Sequence, residues 1–144
     1  MNDELLSDII QIGHLARVRR MNSESRYLFS RLEILYPERI FPHMALALLA
    51  IDTADYDDAL GRCNRALRLA PDYALAHACK GFALLKMKRN TSAIEAFRIA
   101  IRSGDNAAAE MARRFMSLAE SSHVHVPGGR KTLAPRALIT GMPA

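Results

Sequence analysis

Five histidines, two cysteines and a knot of aspartates are the side chains with which this sequence could do chemistry. His123 and His125 alternate around Val124, a spacing that can grip a metal, yet two ligands fall short of the three or four that a protein zinc site needs. His43 and His77 stand at equivalent points of a repeating pattern and His14 lies in another helical stretch, which predicts packed side chains at repeated positions of one architecture. Asp55, Asp57 and Asp58 open a helical pattern, where backbone N–H groups and the helix dipole favour negative charge, so they are expected to cap it. Cys63 and Cys79 sit inside helical patterns without metal-ligand spacing and are expected as buried free thiols. Two basic turns, Arg17 to Arg20 and Lys86 to Arg89, lack the interleaved aromatics on which bases stack, which argues against a nucleic-acid partner. There is no Gly-rich phosphate loop, no Gly-x-Ser-x-Gly and no paired-histidine zinc motif. The sequence therefore predicts no enzyme, no cofactor and no metal.

If these residues do no chemistry, the elements that hold them carry the function. The 144 residues suffice for one domain. Half are hydrophobic, only 6% are aromatic, and none is Trp, a balance that favours helices. No apolar run approaches a membrane span, and the opening MNDELLSDII is acidic where a signal peptide starts basic, so a soluble cytoplasmic protein is expected. The net charge of +5 gathers in residues 72–105 and 122–144 rather than in a stripe for nucleic acid.

The stretch from Ile40 to Tyr73 reads as two antiparallel helices with a turn at Thr53–Asp55. The first, Phe41 to Ile51, is apolar nearly all round and must be covered on most sides. The second, Tyr56 to Leu69, carries Ala59, Leu60, Cys63, Ala66 and Leu67 on one stripe and its charges outside it. Elsewhere Leu5, Ile9, Ile10, Ile12 and Leu15 form the apolar face of an opening helix, and Tyr27, Leu28, Phe29, Leu32 and Leu35 that of the next. Asn2 or Asp3, Asp55, Asp72, Asn90 and Asp105 are the expected N-caps, and Gly104 the expected stop of the sixth helix. From Ser122 the periodicity ceases, and 122–144 reads as a flexible tail.

Pro37 and Pro71 mark one full step of the repeat, and the same step aligns Gly13, Ala47 and Gly81, then Ser25, Ala59 and Ala93, then Phe29, Cys63 and Phe97. On these residues, and on a period of about 34 residues, the chain resembles the tetratricopeptide-repeat (TPR) family. The resemblance implies an all-α TPR solenoid over 1–121: three helix-turn-helix repeats at about 6–39, 40–73 and 74–105, then a C-terminal capping helix at 106–121. It further implies that the first helix of each repeat lines a concave groove. Its lining would be Ile10 from the first unit, Phe41, Met44, Leu48 and Ile51 from the second, Leu75, Phe82 and Leu85 from the third, and Met116 from the cap, with His14, Arg17, Ala78 and Ala112 beside them. The slots that clamp a terminal carboxylate in chaperone-tail-binding members hold Ile10, His14, Ala45, Leu75 and Cys79, so no clamp is expected. An apolar trough of ~400 Å² offers on the order of 10 kcal/mol before association costs, enough for an amphipathic helix or an extended apolar peptide.

The stretches Asp8 to Ala16, Phe29 to Tyr36 and Phe41 to Leu49 are similar to small TPR chaperones of bacterial type III secretion, of the needle-subunit type. That resemblance implies a cytosolic chaperone that keeps an aggregation-prone secreted subunit monomeric, together with a second small co-chaperone. The alternative is a general TPR scaffold in a multiprotein complex.

Overall fold

The structure, a computed structural model, describes residues 2–123. Of the expected tail, 122–144, residues 124–144, His125 among them, lie outside the described residues. Within them the chain forms seven α-helices and no strand: α1 (Asp3–Val18), α2 (Asn22–Leu35), α3 (Ile40–Asp52), α4 (Tyr56–Leu69), α5 (Ala74–Lys86), α6 (Asn90–Ile101) and α7 (Asn106–His123). Consecutive helices pack on one another throughout, and α3, α5 and α7 also touch along a layer of their own. The result is an all-α solenoid of three helical hairpins closed by a seventh helix.

The hairpin turns show how strictly the repeat governs backbone geometry. Arg20, Ala54 and Lys88, one repeat apart from each other, all take the left-handed conformation with φ of 63°, 59° and 65°. In each turn the following N–H reaches back into the last turn of the preceding helix and closes it. Met21 donates to the Ala16 carbonyl at 2.8 Å, Asp55 to Ala50 at 2.8 Å and Arg89 to Leu84 at 2.9 Å. Asn2, Asp55 and Asp105 cap α1, α4 and α7 by accepting from the N–H groups of Leu5, Asp58 and Ala108. Asp72 and Asn90 do not serve as expected. Tyr73 and Arg89 occupy the N-cap positions of α5 and α6, without a side-chain hydrogen bond. Gly104, with φ of 89°, lies beyond the end of α6 in the connection to α7.

Hairpin packing depends on paired sizes. A Cβ on Gly13 would lie 2.6 Å from the Phe29 ring, and one on Gly81 would lie 2.5 Å from the Phe97 ring, so each phenylalanine fills the space its glycine leaves. In the middle hairpin the corresponding residues are Ala47 and the smaller Cys63, both buried in one cluster. Ser25, where the other repeats carry alanine, is also buried, and its hydroxyl donates to the Gly13 carbonyl at 3.0 Å, which removes the cost of its polarity.

Helix α3 is buried from Pro42 through Ala47 and again at Leu49 and Ala50, as its all-round apolarity demands. Leu46 and Leu49 join Leu6, Phe29 and Leu32 in a core between the first two hairpins. At the other end α7 lays Ala112 and Ala119 against Ala78, Leu84, Ile94 and Phe97, with Phe115 and Met116 alongside.

The expected apolar faces of α1 and α2 are only partly buried. Leu6 and Phe29 face the core, but Leu5, Ile12, Leu15, Tyr27 and Leu35 stand in solvent. The periodicity places them on apolar stripes, but among the described residues no preceding hairpin covers those stripes.

Candidate functional site

The layer of first helices is where the predicted groove residues fall. Eight of the nine, Ile10, Phe41, Leu48, Ile51, Leu75, Phe82, Leu85 and Met116, are half-buried: seated in the core on one side and open to solvent on the other. Met44 is a correction. It is 4% exposed and packs among Ala47, Cys63, Ala66, Ala76 and Cys79, because its position on α3 points between the two hairpins rather than along the surface. Ala78 and Ala112 are likewise fully buried. Ala45 and Cys79, two of the carboxylate-clamp slots, are interior as well.

Apart from Phe82, the half-buried residues fall into three groups. Ile10 and Phe41 pack on the first core, where Phe41 also lies against the Tyr36 ring (centroids 5.8 Å apart) and under the Arg39 guanidinium. Leu48, Ile51 and Leu75 join α3 to α5, and Leu85 and Met116 join α5 to α7. Phe82 sits centrally, with its ring centroid 4.7 Å from that of Phe115 and 6.2 Å from that of Tyr56. Both contacts are edge-on, the arrangement that the ring quadrupoles favour.

Polar groups border this apolar layer. Arg17 reaches from α1 to Asp52 on α3 at 2.7 Å and ties the ends of two first helices together. Its Nε is buried without a hydrogen-bond partner. The His14 ring lies 4.9 Å from the Phe29 ring, centroid to centroid. Burial, with a smaller contribution from the Arg17 charge, pushes its imidazole below the ordinary value of 6.5. The second helices are joined separately: the Glu33 carboxylate on α2 accepts from Arg62 and from Arg65 on α4 and lies 3.1 Å from His43 Nδ1.

The histidines singled out for chemistry have structural partners. His43 Nε2 meets the Pro37 carbonyl at 2.9 Å, and one repeat later His77 Nε2 meets the Pro71 carbonyl at 2.8 Å. Both rings thus anchor the loop that enters their own helix. Cys63 and Cys79 are free and buried. A hydrogen bond to Cys79 together with burial pushes the Cys63 thiol up, which leaves it protonated and unreactive. Among the described residues no three His, Cys, Asp or Glu side chains gather as metal ligands would. No described helix is long and apolar enough to cross a membrane.

A solved structure similar to this one is the TPR domain of Sgt2 from Aspergillus fumigatus, with a TM-score of 0.78 over 95% of this chain and 91% of that one. The fold is that of a TPR domain. Sequence identity is 17%, so the likeness is one of backbone architecture. No protein-family model and no curated protein sequence matches the chain.

One surface escaped the sequence reading. Of the large hydrophobic side chains that are exposed, Leu5, Ile12, Leu15 and Val18 lie on α1, Met21 in the turn, and Tyr27, Ile34 and Leu35 on α2. The signal was present in the repeat itself. One repeat step carries Ile12 onto Leu46 and Leu15 onto Leu49, which are 1% and 0% exposed because a preceding hairpin covers them, whereas Ile12 and Leu15 are 61% and 54% exposed.

Proposed function

We propose that the protein is a non-enzymatic, peptide-binding TPR module that holds one apolar helix or extended apolar segment of another protein along its first-helix layer. The observation that carries this reading is the run of half-buried apolar residues from Ile10 through Leu48, Phe82 and Leu85 to Met116, which presents apolar edges and no charged clamp. Contiguous apolar surface of this kind marks a partner site, and an amphipathic helix is the ligand whose spacing fits a row of parallel helices. The similarity of Asp8–Ala16, Phe29–Tyr36 and Phe41–Leu49 to type III secretion chaperones supplies the finer reading: a cytosolic chaperone whose client is a secreted, aggregation-prone subunit, kept monomeric with the help of a second small co-chaperone. On this reading the lining residues are Ile10, Phe41, Leu48, Ile51, Leu75, Phe82, Leu85 and Met116.

The test is affinity purification of the full chain beside a Leu48→Glu/Phe82→Glu variant whose circular dichroism remains helical. A single small helical client retained by the wild type and lost from the folded variant supports the groove reading, and its identity tests the secretion reading. Equal recovery of the same partners by both proteins overturns the groove. One observation favours a second reading, a general scaffold: the exposed apolar end of the first hairpin is a surface separate from the groove.

A further inference from the structure

Helix α1 and its C-cap residue present to solvent a stripe spaced by three and four residues: Leu5, Asp8, Ile12, Leu15 and, at the cap, Arg19. Such spacing is that of a two-helix coiled-coil seam, here with apolar groups at its centre and one charge of each sign toward its ends. All five residues are exposed, and among the described residues neither Asp8 nor Arg19 forms an ion pair within its own chain. The helix is also polarised, with Asp3 and Glu4 in its first turn and Arg17, Arg19 and Arg20 at its end.

We propose that the protein forms a two-fold symmetric dimer through this end of the solenoid, with α1 antiparallel to α1 of a second copy. In that orientation, Ile12 set against the partner's Leu15 brings Asp8 against the partner's Arg19. Symmetry repeats each contact once. A parallel pairing would set acidic start on acidic start and basic end on basic end, so the charges select the antiparallel form. The dimer covers the stacking positions, Ile12 and Leu15, that the second hairpin fills with Leu46 and Leu49 and buries against the first. A second copy therefore covers apolar positions that no described hairpin covers.

The end face is modest. Its two helices have 16 and 14 residues. They are therefore about 24 and about 21 Å long and about 10 Å wide each, a footprint on the order of 450 Å². That is about half the ~800 Å² per partner of a standard interface, so the dimer dissociates in the micromolar range or above. The inference does not depend on what the groove holds, since its residues lie outside the first-helix lining.

Sedimentation velocity of the purified full chain over a concentration series tests the pairing. The wild type is expected to pass from monomer to dimer, whereas Asp8→Arg and Arg19→Asp, both exposed changes, each weaken self-association by about tenfold or more. Mixing the two variants restores a dimer, because both contacts of the mixed pair then set an arginine of one chain against an aspartate of the other, which relieves the two like-charge contacts that each variant makes with itself. A wild type that remains monomeric up to about millimolar concentration overturns the proposal and assigns the face to a different helical protein or to residues 124–144. A dimer indifferent to both substitutions, or not restored by mixing, overturns the antiparallel register.

Discussion

The two ends of the solenoid are made from the same hairpin and finished in opposite ways. At the C-terminal end, α7 covers the third hairpin: Phe97 is fully buried and stacks near Phe115, with centroids 6.4 Å apart. At the N-terminal end, Ile12 and Leu15 stand where Leu46 and Leu49 are buried one repeat later, yet no described residue covers them. A TPR hairpin cannot bury both of its faces by itself, so its stability is set by its neighbours as much as by its own sequence. The first hairpin should therefore open locally before the third.

The largest expected contrast comes from matched truncations. Phe97→Ala removes a buried ring from the capped end and should cost about 3–5 kcal/mol, whereas Ile12→Ala at the bare end should change stability by no more than about 0.5 kcal/mol in dilute solution. Denaturant titration measures both. Comparable losses would mean that the bare end is covered even in the monomer. Native-state hydrogen exchange adds a direct readout, with α1 amides exchanging faster than those of α5 and α6.

A smaller contrast uses the glycines. Gly81→Ala would drive a methyl into Phe97, which Phe115 holds in place, at a cost of about 1–3 kcal/mol. Gly13→Ala meets Phe29 and the half-buried Leu28 beside the open end, so its cost should fall at the lower end of that range. Gly61 on α4 has nothing within 4 Å of the place a Cβ would take. Gly61→Ala should stabilise by about 0.5–1 kcal/mol through helix propensity. Thermal or denaturant unfolding of the three variants gives the order, and equal losses at Gly13 and Gly81 would remove the asymmetry between the ends.

The smallest effect is the pH response of the first hairpin. His14 binds its proton less readily in the fold than in the unfolded chain, so the unfolded state takes up more protons as pH falls. Its contribution to stability is complete above pH 6.5 and declines as pH drops below that value. His14→Gln should make stability less sensitive to acidification between about pH 7.5 and about pH 5.5. An unchanged slope in denaturant titrations would place the sensitivity elsewhere.

Much of this architecture was legible in the residues. The repeat step, the glycine positions and the amphipathic α4 determined an all-α repeat, because local periodicity and backbone sterics act within a few residues of chain. Asn2, Asp55 and Asp105 were readable as caps for the same reason. Asp72 and Asn90 were not: each has a capping side chain, but the preceding loop places Tyr73 and Arg89 at the cap positions.

The groove was legible as a list and not as a surface. Met44 belongs to the same apolar helix as Leu48 and Ile51 and differs only in pointing between hairpins, a distinction set by how α3 is rotated against α4 and α5. Nor does the pattern of α1 reveal how many of its apolar residues are bare, since a stripe at helical spacing reads alike whether a neighbour covers it or not. Composition and periodicity thus determined which helices form and which faces are apolar. Only the tertiary structure decided which of those faces are buried, because burial depends on stacking between hairpins distant in sequence, and among the described residues the first hairpin has a neighbour on one side only.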